Sequence, residues 1–258
     1  MNSSYSNIRI EVSDGVGTIL VNRPPLNILD KKTLVELQKA LQEMKNNEDV
    51  NFILLKTAGD RFYSVGVDVE QHLPNHAPKT LAAFNKVFEA LIDVGKPVIT
   101  VVQGSALGGG CELAFACDVV FAADSAKFGQ PEIQVGAVPT IAAAAMHHLV
   151  GQKRTFELLY SGDSISAEKA MQIGLINYAV PADQLETTVN EFITKLKAHS
   201  PVMLRYVRRA IYESLPLTFM QAVEKSTEIY LDSLKNTEDA SEGLKAFLEK
   251  RKPKWKGK

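Results

Sequence analysis

Three short apolar runs set the architecture this chain can adopt: Phe52-Ile53-Leu54-Leu55, Val98-Ile99-Thr100-Val101-Val102 and Val119-Val120-Phe121-Ala122. Each has the length and β-branched or aromatic content of a buried strand. Between them lie segments of helical period. Asp30 stands at an N-cap position before Leu34, Leu37, Leu41 and Met44, which share one helical face, and Asn46-Asn47 breaks that helix. A second helix is expected over about 79–94, with Leu81, Phe84, Phe88 and Leu91 inward. A glycine-rich turn then leads to a short helix at about 110–116. Ahead of all this, residues 8–22 read as a hairpin turning at Asp14-Gly15, its second strand ended by Pro24-Pro25. Strands alternating with helices predict an α/β fold built from crossover units.

Beyond about residue 140 the pattern becomes mostly helical. Ser166 caps a short helix ended by Gly174, residues 175–180 allow a last strand, and Ser200-Pro201 opens helices that continue to about Lys250. With 258 residues, one large domain or a core with a smaller subdomain is expected. The formal net charge of −1 points to neither nucleic acid nor a membrane surface as partner. The N-terminal stretch lacks the features of a secretory signal or a presequence, and no apolar run is long enough to span a bilayer, so a cytoplasmic protein is expected. Cys111 and Cys117 match neither a CxxC nor a zinc spacing and read as buried reduced thiols. The histidines (His72, His76, His147, His148, His199) form no metal-ligand spacing. The adjacent His147 and His148 should face different sides of a helix. No metal site is expected.

Two glutamates carry the chemical signal. Glu112 follows Gly108-Gly109-Gly110-Cys111, where three glycines between a strand and a helix leave backbone amides unshielded, at a place suited to a developing oxyanion. Glu132 follows Phe128-Gly129-Gln130-Pro131, and the proline helps hold its carboxylate in one orientation. A single strand separates the two, which could bring both to the same end of neighbouring units. A bland reading stands beside this one: the glycines allow tight packing, and Glu112 complements a helix dipole. No Gly-Lys-Ser/Thr, GxGxxG or GxSxG is present, which argues against a nucleotide loop or a serine nucleophile at Ser105. Tyr63-Ser64-Val65-Gly66-Val67-Asp68 suggests a loop presenting amides, with Asp68 capping the next segment; an ordinary strand-to-helix loop fits equally. The basic tail Lys250–Lys258 reads as a solvated end, although Trp255 within it hints at docking.

Taken in order, residues 22–29, Ser64–Val69, Gly104–Asp118 and Phe128–Ile133 resemble the enoyl-CoA hydratase/isomerase (crotonase) family, and the likeness runs over essentially the whole chain. The resemblance implies a spiral of ββα turns (residues 1–198) and a C-terminal helical region used in trimerisation (199–258). It implies an acyl-CoA substrate, with coenzyme A brought by the substrate and no permanently bound cofactor, and a homotrimer or dimer of trimers. By the same resemblance the thioester oxygen is held by the backbone amides of Val67 and Gly109. Glu112 activates water and Glu132 delivers a proton to the α-carbon. Pro25, Leu26, Ile28, Ser64, Val65, Gly66, Asp68 and Val69 would line the CoA site, together with Gly108, Pro131 and Thr140, and the basic tail would approach the CoA phosphates.

Two departures from the family pattern bear on substrate. Pro139-Thr140-Ile141-Ala142 stands where straight-chain hydratases carry a glycine-rich run, and Val65 and Val67 replace alanines. Both place methyl groups near the acyl pocket. The residue 22–29 stretch and the lost glycines look most like the cyclic dienoyl-CoA hydratases, which act on cyclohexa-1,5-diene-1-carbonyl-CoA. Isomerase, thioester hydrolase and decarboxylase activities of the same fold are the alternatives.

Overall fold

The computed structural model describes residues 5–258, which fall into two compact units: residues up to 94 with 98–189, and residues 95–97 with 190–258. In the first unit the hairpin forms as β1 (Ile8–Ser13) and β2 (Val16–Val21), paired antiparallel with Ser13 opposite Val16. Asp30 caps α1 (Lys31–Asn46), its carboxylate accepting from the Thr33 amide at 2.8 Å, and the buried face comprises Leu34, Leu37, Leu41 and Met44. The three apolar runs become β3 (Phe52–Thr57), β5 (Val98–Val102) and β7 (Val119–Ala123), with β4 (Phe62–Ser64) between the first two. α2 (Ala77–Asp93) buries Phe84, Phe88 and Leu91. Further along come β6 (Ser105–Leu107), α3 (Gly109–Phe115) and β8 (Lys127–Gly129). After them lie α4 (Thr140–Ser161), β9 (Ser164–Ser166), α5 (Ala167–Gln172) and β10 (Tyr178–Val180).

These strands make two sheets. The larger has the order β1-β2-β3-β5-β7-β10 and is parallel from β2 onward, so its central strands are apolar on both faces as a parallel sheet requires. The smaller has the order β4-β6-β8-β9, with β4, β6 and β8 parallel and β9 antiparallel. After the hairpin, the three turns β3-β4, β5-β6 and β7-β8 each lay one strand in the larger sheet and one in the smaller before a helix. That is the expected ββα spiral.

The second sheet is not evident from the sequence. The segment around Tyr63-Ser64, which reads as loop, is strand β4, and residues 175–180 give a strand only from Tyr178. Gly151, with φ 76°, interrupts α4 and divides it into two helical stretches. His147 and His148 do not diverge: their ring centroids lie 3.9 Å apart.

The second unit is helical. It takes in the C-terminal part of α6 (Leu185–Lys197), then α7 (Pro201–Ser214), α8 (Phe219–Asn236) and α9 (Glu238–Leu248). Ser200 caps α7 by accepting from the Met203 amide, and donates to buried Asp239 at 2.6 Å. The basic tail is docked within this unit. Trp255 donates its indole N–H to the Ala198 carbonyl at 2.8 Å, and the amides of Lys256 and Gly257 donate to the Asp239 carboxylate at 2.7 and 3.0 Å. The hint from Trp255 is therefore borne out, and the tail is anchored on its own unit.

Candidate active site

The three parallel strands of the small sheet all deliver their C-terminal ends to one place. β4 leads into Val65-Gly66-Val67, β6 into Gly108 and α3, and β8 into Gln130-Pro131-Glu132. Sites outside the carboxyl ends of parallel strands arise because connecting loops converge there. A cavity of about 170 Å³ opens at this convergence, and Val65, Val67, Val69, Gly108, Gly109, Glu112, Pro131, Glu132 and Thr140 line it.

Close packing explains the glycines. Gly66 has φ +89°, and a Cβ there would sit 2.8 Å from the Gly109 amide nitrogen. Gly110 lies against the Ser64 carbonyl so closely that any side chain would collide with backbone. The Val67 and Gly109 segments are consequently neighbours. Gly109 opens α3, so its N–H has no helical acceptor; among the described residues neither it nor the Val67 N–H is hydrogen-bonded.

Glu112 is 2% exposed, on the first turn of α3, and one carboxylate oxygen accepts from the Ala142 amide at 2.7 Å. Burial first, and then the charge of Glu132, raise its pKa to about 7, against the opposing pull of the Ala142 and Ile141 amides. The Glu112 side chain thereby caps the start of α4, whose own N-cap is Pro139 with no side chain to offer. Glu132 stands in the short 3-10 turn Pro131–Val135; burial raises its pKa, and its Oε2 is buried with no partner among the described residues. Its other oxygen faces Gly108, where a Cβ would come within 2.6 Å of it. Two carboxylates with raised pKa values and two open amides on one cavity suit proton transfer beside a carbonyl whose oxygen gains charge.

The 22–29 stretch meets the Ser64–Val69 stretch from behind. Leu26 accepts from the Val65 amide, the Asn27 carbonyl accepts from the Ser64 hydroxyl at 2.7 Å, and the Leu29 amide donates to Gly66. Ser64, Gly66 and Asn27 are buried braces. Pro25, Leu26, Ile28, Ser64, Gly66 and Asp68 are not on the cavity wall; Asp68 caps the 3-10 turn Val69–His72. His72, Leu81, Phe84, Gln134, Val135 and Val138 line the cavity although no motif singles them out for it, and Pro139 joins them from the run read as lying near the acyl pocket. The inward spacing of Leu81 and Phe84 is the signal available for two of them.

An enoyl-CoA hydratase/isomerase sequence profile matches residues 11–258. The chain belongs to the enoyl-CoA hydratase/isomerase family. Among hydratase/isomerase relatives, a short-chain-enoyl-CoA hydratase of Clostridium acetobutylicum is 32% identical, the alignment covering 96% of each chain. A cyclohexa-1,5-dienecarbonyl-CoA hydratase of Thauera aromatica is 34% identical over 99% of this chain and 98% of its own. The crystal structure of an enoyl-CoA hydratase from Bacillus anthracis superposes with a TM-score of 0.91 at 30% identity, covering 98% of this chain and all of that one. Among the described residues no helix is long and apolar enough to cross a membrane.

Proposed function

We propose that the chain adds water across the double bond of an α,β-unsaturated acyl-CoA thioester. One observation carries the reading: Glu112, Glu132 and the unbonded amides of Val67 and Gly109 share a single cavity. The two amides hold the thioester oxygen as negative charge grows on it, and removing one such donor typically lowers the rate by about 10²–10³. Ionised Glu112 takes a proton from water while its oxygen bonds to the β-carbon. The electron pair of the double bond moves toward the thioester, and protonated Glu132 gives its proton to the α-carbon. Exchange with the next water returns a proton from Glu112 to Glu132. Coenzyme A arrives within the substrate, and no further cofactor enters the step.

Glu112→Gln and Glu132→Gln should each abolish hydration of crotonyl-CoA while leaving thioester binding largely intact. Wild-type rates in either variant would remove the two-carboxylate mechanism. Incorporation of ¹⁸O from labelled water into a hydroxyacyl-CoA separates hydration from thioester hydrolysis, which releases free CoA.

For the acyl group, the methyl-bearing wall at Val65, Val67 and Thr140 supports a cyclic dienoyl thioester as a second reading, the substrate named for the Thauera aromatica relative. Comparing kcat/KM for crotonyl-CoA and cyclohexa-1,5-diene-1-carbonyl-CoA decides between them. A trimer or dimer of trimers is supported by apolar side chains left open on the second unit, including Phe219 and Phe247, and sedimentation tests it.

A further inference from the structure

We infer that Gln134 is a positioning residue that aims the proton of Glu132 at the substrate α-carbon; this rests on the hydratase reading above. The Glu132 carboxyl has few direct restraints. Its Oε2 is buried without a partner among the described residues, and the hydrogen bond it receives comes from its own backbone N–H. Such a bond travels with the residue. The direction of the carboxyl therefore follows the 3-10 turn Pro131–Val135 as a body. That turn is short and closes on itself, with the Gly136 and Ala137 amides donating to the carbonyls of Ile133 and Glu132 at 3.2 and 2.9 Å. Its N-cap residue, Gln130, makes no side-chain capping bond.

Gln134 supplies an outward tie. Its side-chain nitrogen donates to the Gly162 carbonyl at 3.2 Å, an acceptor that intrahelical bonding leaves open at the C-cap of α4. Gly162 has φ +67°, and a Cβ there would come 2.9 Å from Ile133 Cγ2 and 3.2 Å from Gln134 Nε2. Two successive residues of the turn are thus seated on this glycine. Gln134 also lines the catalytic cavity, so the strut stands beside the chemistry. α4 consequently braces both carboxylates: Glu112 through the Ala142 amide at its first turn, and Glu132 through Gln134 at its C-cap. Such bracing matters because proton transfer needs near-contact geometry, and a misplacement of about 1 Å can cost on the order of 100-fold in rate.

The test compares wild type with Gln134→Met, which keeps the length of the side chain without its donor, and with Gln134→Ala. Gln134 is exposed, so neither variant opens a core cavity or strands a buried group. Each protein hydrates crotonyl-CoA in H2O and in D2O, and the position of deuterium on the α-carbon of the product is read by NMR. Loss of the strut should lower kcat by about fivefold or more in both variants, with KM within about twofold. Deuterium should enter one face of the α-carbon in wild type and both faces in the variants, because a carboxyl out of place lets water protonate from either side. Three outcomes overturn the inference. One is a kcat in both variants within about twofold of wild type. Another is a lower kcat with deuterium still on one face, which marks a loss of active protein and not of aim. The third is a raised KM with kcat unchanged, which would make Gln134 a substrate contact. If wild-type enzyme hydrates no enoyl-CoA at all, the hydratase reading falls and this inference with it.

Discussion

A carboxyl group whose pKa is lifted from 4.5 to about 7 is a base near neutrality and a weight on the fold above it. Linkage sets the sign. Below about pH 4.5 Glu112 is protonated in folded and unfolded chains alike, so it has no effect on their balance. As pH rises toward 7 the unfolded chain ionises freely while the folded one keeps its proton, and stability falls. Above 7 the loss levels off at about 3 kcal/mol. Glu112→Gln, which keeps an oxygen for the Ala142 amide, should therefore stabilise the protein increasingly from pH 4.5 to 7 and then by a constant amount. Thermal unfolding of both proteins across that range checks it; a difference in Tm that does not change with pH would contradict the buried-base picture. Activity should run the other way and decline as pH drops through about 7, because the base form disappears. At this scale much is legible in the sequence. Glu112, Glu132 and the glycines announce themselves by neighbour and spacing. Val135 and Val138 carry no such mark, since an apolar side chain facing a cavity has the same composition as one facing the core.

Among the elements, the junction of α3 with α4 couples the fold to the base. The first turn of α4 presents amides that intrahelical bonding leaves open, and the Glu112 carboxylate fills that position from another helix. Ala142→Pro keeps a residue compatible with a first helical turn yet removes the donating N–H. Its expected effect is a rise in the Glu112 pKa, since a bond that favoured the charged form is gone, and the acid limb of the pH–rate profile should move above 7. A limb that stays in place would show that this bond does not tune the base. Periodicity foretells α1, α2, β3, β5 and β7 well, because each is long enough to display it. The strands of the small sheet are only three residues long, and Ser105–Leu107 or Lys127–Gly129 cannot show a period of two over that length. That is why the sheet that gathers the site is the part least visible, although its loops are the most informative sequence in the chain.

On the scale of the whole molecule, the second unit depends on a buried carboxylate whose hydrogen-bond donors come largely from its own tail. Asp239 is 1% exposed and accepts from Ser200, Lys256 and Gly257. Deleting residues 253–258 would remove two of the three donors to this carboxylate, the chain that lies over it and the Trp255 contact, a loss of about 3 kcal/mol. Thermal unfolding of the truncated protein should show a Tm lower by several degrees, and a Tm within about one degree of wild type would refute the anchoring role. The capping serine and the run of helices are plain in the sequence; that a basic, hydrophilic stretch would lie down on them is suggested only by Trp255. This tryptophan is also the sole one in the chain. Its emission consequently reports on one locality, the docked tail, with no background from elsewhere, and the protein carries its own optical gauge of whether that end is seated while catalysis reports independently on the other unit.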